Sequence, residues 1–84
     1  MADIFIKVTY ENAEEIVMIC RNYQDDFDVD LQVGRHVVDA TSILGVMSLC
    51  NHIVQVIPVG SEEIDDNKIQ RLLQELKPLG AYTV

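Results

Sequence analysis

Apolar residues recur in this chain at two spacings, every second residue in some segments and every third or fourth in others. The clearest period of two runs from Phe27 to Val33, where apolar residues alternate strictly with Asp and Gln. Such alternation predicts a half-buried strand in an antiparallel sheet with one solvated face. Gly34-Arg35 then suits a two-residue hairpin turn, and His36–Val38 predicts the short returning strand.

Two more segments are predicted to be strands. Asp3–Thr9 is rich in β-branched and aromatic residues, and Ile53–Val59 is mostly apolar, with Pro58 marking its end or an edge position. We expect the chain to turn at Gly60–Ser61. The tail Leu79–Val84 carries no pattern that we assign.

The first and last predicted helices follow the helical period. Asn12 followed by Glu15 is a capping-box pattern, which starts a helix that runs to about Gln24. A second apolar stripe predicts a C-terminal helix that begins within residues 62–67 and stops before Pro78, because proline disfavours helix in the residue before it. The members of the two stripes are Ile16, Ile19, Cys20 and Tyr23, and then Ile64, Ile69, Leu72, Leu73 and Leu76.

The segment Asp39–Cys50 combines a helix start with a short apolar run. Thr41 or Ser42 can act as the N-cap. Gly45 weakens a helix by about 1 kcal/mol, which is tolerable where another backbone or a partner must approach closely. The segment is therefore a small packing helix or a docking surface. Its predicted buried stripe is Ile43, Val46, Met47 and Cys50.

The element order β-α-β-β-α-β-α predicts an α+β fold. We expect an open-faced β-sandwich in which three helices cover one face of a four-stranded, mostly antiparallel sheet. The 84 residues suit one domain, 1–84, near the lower size limit for a self-sufficient core.

Charge and composition exclude several classes of function. The chain has 14 acidic and 6 basic residues, and a net charge of −8. Because phosphate backbones and anionic lipids repel such a chain, we expect neither nucleic-acid nor membrane binding. The N-terminus shows no signal-peptide pattern, and Cys20 and Cys50 lie in apolar patterns typical of reduced core residues, so we expect a cytoplasmic protein.

The residues that could carry chemistry are few. His36 and His52 are the only histidines, and neither has a nearby Arg or a Gly-rich loop, so we expect structural roles for both. A metal site at Cys50 and His52 lacks the spacing and the further ligand that zinc requires. We therefore predict no catalytic residue, no metal, no cofactor and no enzymatic activity.

The element order, together with Thr41-Ser42-Ile43-Leu44-Gly45-Val46-Met47-Ser48-Leu49 before the last strand, resembles HPr, the histidine-containing phosphocarrier of the bacterial sugar phosphotransferase system. The family typically has Lys-Ser-Ile-Met-Gly-Val-Met-Ser-Leu here, and Phe5-Ile6-Lys7-Val8-Thr9 looks like its first strand. The resemblance implies the HPr-like fold and protein partners of the phosphotransferase or catabolite-control type.

The resemblance fails where HPr performs its chemistry. HPr proteins open the first helix with Gly-(Ile/Leu)-His-Ala-Arg-Pro, and that His accepts phosphate from enzyme I. Here Thr9 leads directly to Tyr10-Glu11-Asn12-Ala13-Glu14-Glu15, a shorter segment without His, Arg or Pro. We expect the helix to start directly after the first strand, Asn12 to occupy its free N–H groups, and the glutamates to repel a phosphoryl group.

Three residues of the matching segment are candidates for function. Ser42 matches the serine that HPr kinase/phosphorylase modifies in many Gram-positive bacteria, although a serine at a helix start also serves as a cap without any kinase. Leu44 and Met47 match the docking surface of HPr, although Leu and Met at helical spacing are also usual in a core.

These features favour a divergent HPr-like protein that has lost the phosphoacceptor and acts as a non-enzymatic binding or regulatory module through the Ser42–Met47 helix. One alternative is a divergent phosphocarrier that still takes part in sugar transport. Another is a structural or oligomerising domain unrelated to sugar uptake.

Overall fold

The chain forms three helices and five strands in a computed structural model that describes residues 2–60 and 62–84. The predicted order of the first seven elements is confirmed. The predicted turn at Gly60–Ser61 includes Ser61, which lies outside the described residues. The elements are β1 (Ile4–Lys7), α1 (Ala13–Arg21), β2 (Asp28–Val33), β3 (His36–Asp39), α2 (Ile43–Met47), β4 (Ile53–Val59), α3 (Asp66–Leu76), a 3₁₀ turn (Lys77–Leu79) and β5 (Tyr82–Thr83).

The strands form one sheet in the order β3-β2-β4-β1-β5, and every neighbouring pair is antiparallel. The prediction of four strands is therefore wrong at the C-terminus. Tyr82 and Thr83 pair with Phe5 and Ile4 of β1, and the rings of Phe5 and Tyr82 stack with their centroids 5.9 Å apart. A two-residue strand is too short to show a period in the sequence, which is why the tail carried no signal.

The core lies between the sheet and the helices. Alternate residues of the central strands are buried on one face, among them Ile6, Leu31 and Val54, which are 0% exposed. The apolar stripes of α1 and α3 cover this face and join the same cluster. The other face, which we call the open face, carries the remaining half of each strand, including Phe5, Asp30 and Ile57.

The β2–β3 hairpin forms as predicted. Gly34 has φ +57°, which a residue with a side chain rarely adopts, whereas Arg35 is not among the residues with positive φ. Positive φ at the first central residue alone indicates a type II′ turn, whose twist matches that of the strands. Val29 and Leu31 are buried, as the alternation of β2 requires.

The short helix α2 is capped by Ser42, one of the two predicted caps, whose Oγ accepts a hydrogen bond from the Gly45 N–H at 3.3 Å. Of the predicted buried stripe only Val46 is fully buried. Met47 and Cys50 are half-buried, Ile43 is 39% exposed, and Leu49, which the stripe did not include, is buried. Gly45 faces β3 of its own chain, since a Cβ there would lie 3.3 Å from the Cβ of Val38. The close approach at Gly45 is therefore intramolecular.

The C-terminal half confirms two further predictions. Helix α3 begins at Asp66 within the predicted range, and the Asp65 carboxylate caps it by accepting a hydrogen bond from the Asn67 N–H at 2.9 Å. Pro58 is the penultimate residue of β4, beyond the point where pairing with β1 stops at Val56. A missing N–H is tolerated there because β4 has no neighbour on the β1 side.

Candidate functional site

The junction between β1 and α1 is the place where the sequence resemblance locates the phosphoacceptor of HPr. The Ala13 N–H donates to the Thr9 carbonyl at 3.0 Å, so helical hydrogen bonding begins only two residues after Lys7 ends the strand. The connection is short, as we expected, although five residues (8–12) separate the end of β1 from the first residue of α1.

A capping box closes this junction, but the sequence prediction placed it wrongly at Asn12 and Glu15. The Asn12 N–H donates to Thr9 Oγ1 at 3.2 Å, and the Thr9 N–H donates to Asn12 Oδ1 at 2.8 Å. Thr9 is thus the residue that caps the first turn, and Asn12 is its reciprocal partner three residues later.

Asn12 does not occupy the free N–H groups of α1, contrary to our expectation from the sequence. Its side chain points back into the fold, where Nδ2 donates to the carbonyls of Lys7 at 2.9 Å and Leu79 at 3.1 Å. With an exposure of only 7%, Asn12 joins β1, α1 and the 3₁₀ turn. The junction is therefore a buried polar anchor.

The surface outside this anchor is acidic. Glu11, Glu14 and Glu15 are all exposed around the first turn of α1. A helix N-terminus attracts anions, but three carboxylates at the same end oppose the approach of a phosphoryl group. The arrangement disfavours a phosphate site of the HPr kind at this turn.

The two histidines lie in different places. His36 is exposed at the start of the edge strand β3. His52 is also exposed, and its carbonyl accepts a hydrogen bond from the Val8 N–H at 3.0 Å, which places it beside the β1–α1 junction. The sequence reasoning missed this proximity, because only the pairing of β1 with β4 brings the two segments together.

The segment before His52 holds it in place. Asn51 has φ +70°, and its N–H donates to the Val8 carbonyl at 2.6 Å. His52 Nδ1 lies 3.2 Å from the Cys50 carbonyl. The Nδ1 atom of His52 is therefore in hydrogen-bonding distance of a carbonyl of its own segment, two residues earlier.

Helix α2 presents the three candidates from the sequence in different environments. Ser42 is exposed, and Leu44 is 81% exposed, one of the most exposed large apolar side chains described. Met47 is half-buried and packs against the core. Leu44 is thus free to contact a partner, whereas Met47 has a packing role as well.

Helix α1 adds residues to this surface that the sequence reasoning did not identify. Arg21 Nε donates to the Thr41 carbonyl at 3.2 Å, so the end of α1 meets the start of α2. Met18, one turn before Arg21 on the same face, is 58% exposed. The sequence did offer a sign of this exposure, because Met18 is an apolar residue that lies outside the predicted buried stripe of its helix. We call Met18, Ile43 and Leu44 the α1–α2 patch.

Asp39 is the acidic neighbour of Ser42. Its carboxylate accepts hydrogen bonds from the Thr41 N–H at 2.8 Å and from the Thr41 hydroxyl at 2.7 Å. These bonds, the backbone one first, hold the pKa of Asp39 below its usual value. Asp39 is therefore ionised and fixed next to the start of α2.

Other kinds of site were also sought. Within residues 2–60 and 62–84, no three His, Cys, Asp or Glu side chains are grouped closely enough to hold a metal ion. Cys20 is buried, Cys50 is half-buried, and they form no disulfide. An open cleft of about 610 Å³ lies at the other end of β1 and β4, away from the junction, and is lined in part by Asp3, Pro58 and Ile69. None of the helices described could extend across a lipid bilayer.

Comparison with known proteins places the fold. No protein-family model and no curated protein sequence matches this chain. Among solved structures, the crystal structure of HPr-C-His from Thermoanaerobacter tengcongensis is similar over 90% of this chain and 90% of its own, with a TM-score of 0.63 and 20% sequence identity. The chain therefore has an HPr-like fold, with β5 completing an open five-stranded sheet.

Proposed function

We propose that this chain is a non-enzymatic HPr-like binding or regulatory module that contacts a protein partner through the Ser42–Met47 helix. The observation that carries the proposal is the exposure of Leu44, which is 81% accessible in a helix of only five residues. An apolar side chain that its own chain leaves largely uncovered is available to a partner.

The α1–α2 patch sets the chemistry of this partner. Met18, Ile43 and Leu44 offer an adaptable apolar contact, since methionine adjusts to differently shaped surfaces. Glu14 and Glu15 lie on the exposed side of α1 close to Met18. We propose a protein of the phosphotransferase or catabolite-control type whose contact surface is apolar with a basic rim. The two free cysteines of this chain are compatible with a role in the cytoplasm, where thiols stay reduced.

The β1–α1 junction supports the absence of phosphocarrier activity. Thr9 and Asn12 close it with mutual hydrogen bonds, and it contains neither His nor Arg. The glutamates of the first turn add a further electrostatic barrier to phosphate.

We further propose that phosphorylation of Ser42 regulates docking. The hydroxyl is exposed and lies at the start of α2, where backbone N–H groups stabilise a phosphate. Arg21 reaches the adjacent Thr41 carbonyl and offers a cation, whereas Asp39 opposes the new charge. A dianion at Ser42, next to Ile43 and two residues before Leu44, would change what the α1–α2 patch can bind.

Docking is tested by NMR titration of the ¹⁵N-labelled chain with purified enzyme I and with the catabolite-control transcription factor of a Gram-positive bacterium. We expect saturable shifts at Ser42–Met47 and Met18 with one of these proteins. Leu44→Ala should weaken binding, whereas Val84→Ala, which alters an equally exposed residue at 81%, should not. Equal affinities for both variants, or no binding to either protein, would contradict the proposal.

Phosphorylation is tested with HPr kinase and ATP, followed by peptide mass spectrometry. We expect one phosphoryl group on the chain, which Ser42→Ala abolishes and Ser48→Ala retains. If the chain remains unmodified, the proposal that phosphorylation regulates docking is wrong, whereas the proposal that the helix docks is not affected.

A second candidate function is a divergent phosphocarrier, which the position of His52 favours. Its exposed imidazole lies beside the junction, where HPr carries its own histidine. Incubation with phosphoenolpyruvate and enzyme I discriminates between the two functions. An acid-labile phosphate that His52→Gln abolishes and His36→Gln retains would replace our leading proposal with this one.

A further inference from the structure

The C-terminal segment Lys77–Val84 runs alongside β1, and we call it the C-terminal strap. At its far end the Asp3 N–H donates to the Val84 carbonyl at 3.3 Å, and the Val84 N–H donates to the Asp3 carbonyl at 3.0 Å. Closer to α3, Tyr82 pairs with Phe5, and the two rings stack. The strap is therefore held to β1 by a short row of contacts along the strand.

The Asn12 side chain continues this row where the strand pairing ends. The register of β1 and β5 would place Lys7 opposite Gly80, but the pairing stops at Phe5. Instead, the Asn12 amide nitrogen donates to the carbonyl of Lys7 at 2.9 Å and to that of Leu79 at 3.1 Å. Asn12 thus bridges β1 and the strap at the level where their backbones no longer pair.

Burial makes the two sides of this bridge depend on each other. Asn12 is 7% exposed, and Leu79 packs against the core, whereas the strand Tyr82–Thr83 is exposed. When the strap leaves β1, the Asn12 amide nitrogen loses the Leu79 carbonyl. A buried polar group that loses its partner is costly, so the strap and Asn12 are more stable in place together than separately.

The bridge also connects the strap to the β1–α1 junction. The amide oxygen of the same Asn12 side chain accepts the Thr9 N–H at 2.8 Å. Val8, the residue before Thr9, donates to the His52 carbonyl and accepts the Asn51 N–H. Because the amide group is rigid, a displacement of its nitrogen also displaces its oxygen. A movement of the strap is therefore transmitted to the junction beside His52.

We propose that the C-terminal strap is a latch on the β1–α1 junction, and that the two open together in one cooperative step while the rest of the sheet stays folded. Proteins open locally in such units, and exposed segments with few contacts open most readily. Coupling of this kind is reciprocal, so a molecule that displaces the strap also loosens the junction. The latch lies at the β5 border of the sheet, whereas Gly45 of α2 contacts β3 at the other border. It is therefore independent of the proposed docking through α2.

The test is native-state hydrogen exchange of the whole ¹⁵N-labelled chain, measured by NMR. Asn12→Asp keeps an oxygen for the Thr9 N–H but removes the two N–H donors of the bridge, so we expect faster exchange at the Val84 amide. In the opposite direction, Tyr82→Ala removes the ring that stacks on Phe5. We expect exchange at the Thr9 amide to be about three- to tenfold faster in this variant, the range for the loss of one aromatic pair.

Matched controls separate the latch from other kinds of opening. Val84→Ala changes a side chain of the same strap that is 81% exposed, and it should leave the Thr9 amide unchanged. The amide of Leu31 in β2 reports unfolding of the whole chain and should also keep its rate. Tyr82→Ala alters a side chain that is 43% exposed and should fold, so its result decides the proposal even if Asn12→Asp does not fold. Faster exchange confined to the strap, or equal acceleration at Thr9 and Leu31, would overturn the proposal, because the first means that the strap frays alone and the second that stability falls globally.

Discussion

Thr9 and Asn12 satisfy each other's backbone N–H groups, Thr9 through its hydroxyl and Asn12 through its amide oxygen. The Asn12 amide nitrogen at the same time bonds the carbonyls of Lys7 and Leu79, residues that are far apart in the sequence. One side chain thereby connects the first strand, the first helix and the C-terminal turn.

Asn12→Ala should therefore be costly. It removes three hydrogen bonds and leaves partly buried backbone groups without partners, so we expect the free energy of unfolding to fall by about 2–4 kcal/mol. Urea denaturation measures this. The control is Asn22→Ala, an exposed residue just after α1, which should change stability by less than about 0.5 kcal/mol. Similar losses for both variants would show that Asn12 is not an anchor.

Leu44 in α2 and Leu49 just after it provide a matched pair of an exposed and a buried leucine. Leu44 is 81% exposed and Leu49 is 5% exposed, although they are only five positions apart. Leu49→Ala should destabilise the chain by about 2–5 kcal/mol because it creates a cavity, whereas Leu44→Ala should have little effect. Chemical denaturation of both variants tests this. A large loss at Leu44 would mean that it packs within the chain and is not free for docking.

Ser42 can be tested as a cap separately from any kinase. Its hydroxyl accepts the Gly45 N–H, so Ser42→Ala should lower stability by about 0.5–2 kcal/mol, whereas Ser42→Gly should cost only a few tenths. Thermal or urea unfolding of the two variants distinguishes these values. If neither substitution changes stability, the hydroxyl does not contribute as a cap.

Tyr23 should make stability depend on pH in the alkaline range. Burial, followed by its hydrogen bond to Glu75, raises its pKa from the ordinary 10.0 to about 12. The folded chain thus holds this proton more tightly than the unfolded chain, and the resulting stability is complete below pH 10 and lost as the pH rises towards 12. Urea midpoints of wild type and Tyr23→Phe, measured across this range, should show a shallower decline for the variant. Parallel curves would contradict the prediction.

The two thiols should react at different rates. Cys20 is 1% exposed, and burial, followed by the charges of Asp39 and Glu75, raises its pKa to about 12, whereas Cys50 is half-buried. We expect a thiol reagent to label Cys50 first and Cys20 only when the chain unfolds. Cys50→Ser should abolish the fast phase in a time course. If the fast phase were lost in Cys20→Ser instead, Cys20 would be the more accessible thiol and the prediction would be wrong.

Sequence periodicity was sufficient for the long elements. The alternation of β2 and the stripe of α3 extend over enough residues to separate a period of two from a period of 3.6. Helix α2 has only five residues and ends at Met47, so a helical period could not predict that Ile43 is exposed or that Leu49, beyond the end of the helix, is buried.

The junction could not be predicted for a different reason. Thr9 to Asn12 and Asn12 to Glu15 both fit a capping box, and local sequence does not choose between them. The choice is made by the carbonyl of Leu79, which lies 67 residues from Asn12 along the chain. The proximity of His52 to this junction likewise depends on strand pairing, which residue spacing does not encode.

The short strand β5 also has a bearing on self-assembly. With Tyr82 and Thr83 in place, β1 lies inside the sheet, and the strands at its two borders are only four and two residues long. A chain that stopped at Gly80 would instead offer the apolar β1 as a border with unpaired backbone groups, a template for other copies. Tyr82 and Thr83 thus cover Ile4 and Phe5, the first half of β1, and keep their backbone groups from pairing with another chain.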